Sequence, residues 1–345
     1  MSTLDPELWF HERAALYVEV QLLYHLNDLG VFGVLASGER CSTQDLANQL
    51  GLVEPLLQTV LDYVYGVDEL LDCDAEGRWG LTDFGLGVLE RFGRQTSAGP
   101  QYNLFDVRVG AYGPVWAAAG ELLKGELRYG EGVRRLGERA ADGVYKVGAR
   151  MAPSLSRALS GLGVDVAVEW GVSTGLLQAL TELGTRVGVD RDAKAISEAQ
   201  KRAGEVSGGE ISWVQADVFE TDTWVSEIPG SERVAFFSVH FHELLSAGEE
   251  SVVELLRSLS ASHAGSYVVA MEQPRLSREA REVIPRAQWL YSQANELIHH
   301  LIGNGRILGD EEWRSLFERG GCRCLRVESM EFLGYQLYVF ELGAS

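Results

Sequence analysis

Three groups of residues in this chain have the types and spacing that chemistry requires. The first is Val166–Gly175, VAVEWGVSTG, where a short apolar run delivers Glu169 into a turn of small residues and LLQALTEL follows at once. Gly171, Ser173 and Gly175 let the backbone approach a ligand, and a helix starting there would aim its first N–H groups at it. Asp190 closes the next apolar run, 19 residues after Gly171, with Arg191 following. Dinucleotide folds keep an acid for the ribose hydroxyls at that distance. Asp217 closes a third run in VQAD, with Val218 after it, and could accept a hydrogen bond from an adenine amino group. The second group is Ser238 near the end of a fourth run, His240, His242 and Glu243 after it, and Glu272 ending a fifth. Histidine can exchange a proton near neutral pH, and a carboxylate behind one ring nitrogen makes the other more basic. The third group is His299-His300 in AQWLYSQANELIHHLI. Only one of this pair can face a site on the helix that the spacing predicts.

The turn leaves alternatives open. Gly171-Val-Ser-Thr-Gly175 also fits the G-x-S-x-G nucleophile elbow, with Ser173 attacking, but no oxyanion motif such as HGGG accompanies it. A nicotinamide site would want G-x-G-x-x-G, its third glycine one position later. The glycine turn and the two acids at successive strand ends favour a nucleoside cofactor over either.

Residues 164–342 supply the frame. Apolar runs at 164–169, 186–190, 211–217, 233–239 and 266–272 are separated by helical stretches or loops, and two more strand-like runs, 323–330 and 335–342, close the chain. Alternating strands and helices predict an α/β domain, a seven-stranded, mostly parallel sheet with an antiparallel edge hairpin, over residues 161–345. Residues 1–95 read as three helices and a two-stranded hairpin, the order of a winged helix. Residues 96–160 read as glycine-interrupted helical connectors that contribute to an acceptor pocket, with a longer helix from Lys146 to Leu162.

Charge decides what the winged helix is not. The chain has 30 basic and 50 acidic residues, a formal net charge of −20. Residues 1–95 hold five arginines, no lysine and sixteen acids. A groove-reading helix needs phosphate contacts, so DNA and anionic membranes are excluded as partners and a dimerisation module is expected. The longest apolar run is too short to span a bilayer, and the acidic N-terminal stretch lacks the marks of a signal peptide, so a cytoplasmic protein is expected. Cys41, Cys73, Cys322 and Cys324 are too few and wrongly spaced for a disulfide scaffold or a zinc site.

With these residues in place, the chain resembles the class I S-adenosylmethionine (SAM)-dependent small-molecule methyltransferases of the plant O-methyltransferase type. The resemblance covers most of the chain, and its most specific pieces are EWGVSTG, Asp190, Asp217, FHEL and VVAMEQP. It implies a winged-helix dimerisation domain, a Rossmann-like domain and a homodimer that methylates a small specialised metabolite. It implies SAM held by Glu169, Gly171, Ser173, Gly175, Asp190, Arg191, Asp217, Val218 and Ser238, with His242 as general base and Glu272 orienting it. The helix with Trp289, Asn295 and His299 lies where such enzymes cover the acceptor. Two positions depart: Leu244 replaces the tryptophan of H-D-W, and Gly305 stands where G-x-E-R has a glutamate.

A smaller branch, the α-keto acid C-methyltransferases, is similar at EEWRSLFERGGCRC and YVFEL. It implies a divalent or ferric metal ion on His242 and His299 that would bind a keto acid. A few relatives on the same fold use SAM only as a bound cation, for cyclisation or rearrangement. The sequence leaves O-methylation, C-methylation and that third chemistry open.

Overall fold

Glycines and caps divide the first part of the chain into short helices. The computed structural model describes residues 5–67, 69–92, 105–204, 211–228, 233–330 and 334–343. It forms two compact units, Met1–Trp116 with Arg135–Lys146, and Ala117–Arg134 with Val147–Ser345. Residues 96–104 of the expected connector lie outside the described residues, and the rest of it is shared between the two units.

In the first unit, α1 (Pro6–Asp28) stops before Gly30, whose φ of 85° is left-handed, and α2 is Val31–Leu35. The Ser42 side chain accepts the Asp45 N–H to start α3 (Thr43–Leu50), and Gly51 at φ 68° ends it. In α4 (Glu54–Val67), Pro55 sits in the first turn, where no N–H is needed. Strands β1 (Leu71–Cys73) and β2 (Trp79–Leu81) pair antiparallel, and α5 (Asp83–Phe92) follows. Phe32, Leu46, Leu61 and Trp79 fill the core, and the Trp79 indole donates to Thr43 Oγ1 at 2.9 Å. Three short stretches come next: a π-helical turn at Phe105–Ala111 and α6 (Gly113–Ala117), which reaches the edge of this unit, and then α7 (Ala119–Lys124), which belongs to the second.

Helix α8 (Gly137–Ser160) starts nine residues before the expected Lys146. Its Gly148, which argues against a helix on propensity alone, is required by packing, because a Cβ there would overlap the Thr174 carbonyl.

The second unit is built on seven strands: β3 (Val166–Trp170), β4 (Thr185–Asp190), β5 (Ile211–Gln215), β6 (Val234–Ser238), β7 (Tyr267–Glu272), β8 (Cys322–Ser329) and β9 (Gln336–Leu342). Their order is β5-β4-β3-β6-β7-β9-β8, the first five parallel and β9 antiparallel to both its neighbours. Between strands lie α9 (Leu176–Ala179), α10 (Ala193–Ala203), α11 (Thr221–Trp224), α12 (Phe241–Leu244), α13 (Glu249–Ser262), α14 (Arg286–Ile302) and α15 (Asp310–Arg319). Every residue of β3, β6 and β7 is buried, as expected for parallel strands covered on both faces. The strand order reverses between β3 and β6, which makes the crevice beyond their carboxyl ends the place for a ligand.

Aromatic rings lock that point. Trp170, the last residue of β3, stacks on Phe236 at 5.7 Å and meets Trp224 and Phe241 edge-on at 6.0 and 5.5 Å. The packing therefore fixes the residue immediately before the glycine turn and the residue immediately before His242. Trp170→Ala should cost about 3–5 kcal/mol, as buried tryptophan deletions do, and lower the urea midpoint accordingly. A variant with an unchanged midpoint would show that these rings do not hold the sheet.

Candidate functional site

The glycine turn has the backbone that its sequence requires. Gly171 (φ 81°) and Gly175 (φ 70°) are left-handed, and Val172–Thr174 make one tight 3-10 turn between them, with α9 starting at Leu176. The described part of Ser173 is its backbone in that turn. Two acids hold the turn. From beneath, Glu169 accepts a short hydrogen bond from Thr174 Oγ1 and one from the Leu177 N–H at 3.4 Å. From the side, Asp190 Oδ2 accepts the Val172 N–H at 3.1 Å while its Oδ1 accepts the Asp192 N–H at 2.9 Å.

The other expected cofactor residues lie at neighbouring positions. Asp217 follows β5 half-buried, its Oδ1 accepting the Phe219 N–H at 3.0 Å, and Val218 beside it is buried. Arg191 is exposed. Ser238 is 1% exposed, and its hydroxyl donates to the Trp170 carbonyl at 2.8 Å and accepts the His240 N–H at 2.9 Å. It ties the end of β3 to the start of α12. The crevice above β3, β4 and β5 thus presents a turn flanked by two left-handed glycines and two carboxylates, acceptors matched to the hydroxyl and amino donors of a nucleoside. That fits the nucleoside part of SAM.

The second cluster is built on β6 and β7. Helix α12 has only four residues and gains its position from Phe241, which is fully buried and edge-on to Phe317 at 5.2 Å. His242 is then held on two sides by Glu272: its N–H donates to Oε1 at 3.1 Å, and Nδ1 meets Oε2 at 2.8 Å. Burial pulls the His242 pKa down, but the Glu272 charge and hydrogen bond, with Glu243 nearby, overcome it, so the net shift is upward. His240 covers the glycine turn: a Cβ on Gly171 would stand 3.2 Å from its Cδ2. The two clusters therefore adjoin.

Helix α14 brings the third group in. His299 is 6% exposed, and its ring lies 4.4 Å from that of His242, at 73° to it. His300 faces outward, its Nε2 3.9 Å from Glu296 Oε1. Of the pair, then, His299 is the one that meets His242. Asn295, one turn earlier, is buried; Trp289 lies ten residues before His299, about 15 Å along the helix, and its indole donates to the Ser277 carbonyl at 3.2 Å. A pocket of about 390 Å³ flanks the histidines where α13 begins, lined by Leu245, Ser246, Glu249, His299, Gly303 and Arg306 among others. Gly305, standing where G-x-E-R has its glutamate, has φ 81°, and a Cβ on it would overlap the His242 carbonyl. The backbone here occupies the space a side chain would need.

Among the described residues, His240, His242 and Glu243 form one group whose ligand atoms lie within 4.8 Å of one another, a spacing that could hold a metal ion. His299 Nδ1 contacts the Asn304 carbonyl at 3.0 Å, and His242 Nδ1 contacts Glu272. A carbonyl or carboxylate partner calls for a proton on Nδ1 and leaves the lone pair on Nε2, the usual state of a ligating or proton-accepting imidazole. The group of close ligand atoms does not include His299, although its ring faces that of His242. Thr174 and Asn304 are the contributors that motif reading passed over. His240 alternates visibly with His242, whereas Asn304 enters through its main chain and leaves no trace in residue type.

Burial pushes the Glu169 carboxyl up to about 8, against the opposing hydrogen bonds from Thr174 and Leu177, with Asp190 adding to the rise. The folded chain keeps a proton that the unfolded chain releases above about 4.5, so stability falls as pH rises from there through about 8. Glu169→Gln should flatten that slope, measured as urea midpoints at about pH 5 and about pH 8. Parallel slopes in the two proteins would mean that Glu169 ionises in place at no cost.

Solved structures give the fold a setting. No protein-family model matches this sequence, and neither does any curated protein sequence. Human N-acetylserotonin methyltransferase in complex with SAM superposes with a TM-score of 0.74 at 15% identity, covering 99% of both chains. The mitomycin 7-O-methyltransferase MmcR gives 0.65 at 16% over 97% of both chains, and CalO1, a calicheamicin-biosynthesis methyltransferase with SAH bound, gives 0.66 at 17% over 99% of both. Over nearly its whole length, the chain has the fold of SAM-dependent methyltransferases: a Rossmann-like sheet preceded by a helical N-terminal region.

Proposed function

We propose that the chain is a SAM-dependent methyltransferase that methylates a hydroxyl of a small molecule, with His242 as general base. The observation that carries this reading is the buried His242–Glu272 pair beside the glycine turn, joined to it by His240 over Gly171. When bound, SAM supplies an electrophilic methyl group on a sulfonium. The turn 171–175, Asp190, Asp217 and Val218 would hold it. His242 takes the acceptor proton at Nε2, and Glu272 stabilises the resulting imidazolium through Nδ1. The fold of the named neighbours, which include enzymes described as O-methyltransferases, supports the reaction class.

One observation favours a second reading, metal-assisted C-methylation of an α-keto acid. The His242 and His299 rings are 4.4 Å apart, and both have Nδ1 engaged by an acceptor. A divalent or ferric ion held there would polarise two substrate oxygens and favour the enolate.

The N-terminal unit suggests a homodimer. Along α1, Leu8, Phe10 and Tyr17 are 61%, 63% and 69% exposed, with Trp9, Leu16 and Val18 also open, apolar surface spread around the helix that a second copy would cover. Light scattering at micromolar concentration should give twice the chain mass; a monomer with full activity would refute this.

Incubation with SAM and a metabolite extract should yield a product heavier by one methyl group; a transformed product of unchanged carbon count would instead favour the cyclase-type chemistry. His242→Ala should lose about 10²–10⁴ in turnover while keeping SAM affinity. A base must be neutral, so the rate should fall as pH drops through the raised His242 pKa. Glu272→Gln removes the charge that raises that pKa and should move this limb to lower pH. An unmoved limb would assign it to another group. His299→Ala decides between the readings: loss of both metal content and turnover favours C-methylation, and a modest change in acceptor KM favours O-methylation.

A further inference from the structure

We propose that the turn 303–306, Gly303-Asn304-Gly305-Arg306, is a positioning device that sets the tautomer of His299 and the placement of His242 together. The inference rests on the reading of these histidines as the reacting pair.

Each residue of the turn has one task. Gly303, left-handed at φ 62°, ends α14 and turns the chain back toward the sheet. Asn304 then grips His299 twice: its N–H donates to the His299 carbonyl at 3.2 Å, and its own carbonyl accepts from Nδ1 at 3.0 Å. A main-chain carbonyl has no proton to give, so the contact needs Nδ1–H and puts the lone pair of the neutral ring on Nε2. Gly305, at φ 81°, brings the backbone against the His242 carbonyl so closely that no Cβ fits. Arg306 completes the contact, its N–H donating to that carbonyl at 3.0 Å.

The turn is anchored from outside. The Arg306 guanidinium makes a short ion pair with Glu249, the first residue of α13, and Arg319 holds the other oxygen of Glu249 at 2.8 Å. His242 is thus fixed by Glu272 at its ring and by Arg306 at its carbonyl, and only Gly305 separates Arg306 from Asn304, which fixes His299. A movement of this turn shifts both rings at once.

The test is ¹⁵N NMR of the histidine rings in the full chain, combined with steady-state kinetics. The wild type should show His299 as the Nδ1–H tautomer when neutral. Gly305→Ala should shift that ring toward Nε2–H and lower kcat by about 10², the usual effect of a misplacement near 1 Å, with KM for SAM unchanged. Arg306→Gln, which leaves the main chain intact, should give a smaller change of the same kind and serves if Gly305→Ala does not fold. Asn304→Ala should keep the wild-type tautomer, because its contacts are main-chain. A wild-type His299 in the Nε2–H form, or folded Gly305→Ala and Arg306→Gln proteins that retain both tautomer and kcat, would overturn the proposal. The tautomer measurement needs no acceptor, so it stands or falls separately from the assignment of methyl transfer.

Discussion

The site depends on one carboxylate. Glu272 reaches from the end of β7 to take both the main-chain N–H and the ring Nδ1 of His242. Helix α12 is four residues long, far below the length at which a helix holds its own shape. Its geometry is therefore imported, from Glu272 on one side and from Phe241 packed against Trp170 and Phe317 on the other. The Glu272 grip in turn requires β6 and β7 to be in register, which the Phe237–Val269 and Ser238–Ala270 pairs provide. Once His242 is placed, His240 must fall over Gly171 and the two halves of the site meet.

The glycine turn follows a related logic with a different electrostatic balance. Glu169 is sealed beneath the turn with hydrogen bonds that cannot fully replace water, so its carboxyl is raised toward 8. Asp190 approaches from the half-open side and braces the same turn through the Val172 N–H. Glu169 from below and Asp190 from the side thus hold the turn, through Thr174 and the Leu177 and Val172 N–H groups.

Much of this was legible because parallel strands buried on both faces leave short apolar runs, and because acids at strand ends are hard to explain by packing. The seven strands lie within a few residues of their expected positions, and the antiparallel pair at the chain end has the expected direction. Helices were read less well where contacts overrule propensity. Helix α8 begins at Gly137, nine residues before the expected Lys146, and its Gly148 is packed against the Thr174 carbonyl; α9 stops at Ala179, four residues short of the expected Leu183. Ser238 and Trp289 show the limit for side chains: their polar atoms are engaged with the Trp170 and Ser277 carbonyls, partners 68 and 12 residues away. The turn 303–306 was legible only as a lost glutamate, since its contacts are made by the main chain.

The position of β9 carries a consequence for how the molecule is made. It lies between β7 and β8, yet it follows both in sequence. Until residues 336–342 have been synthesised, β7 stands as an edge with a row of unpaired amides and carbonyls, and the strand bearing Glu272 has a neighbour on one side only. The interior of the sheet is thus closed by insertion rather than by addition at a rim. Nascent chains that stop before Gln336 would display an open, mostly apolar strand, a template for the wrong partner.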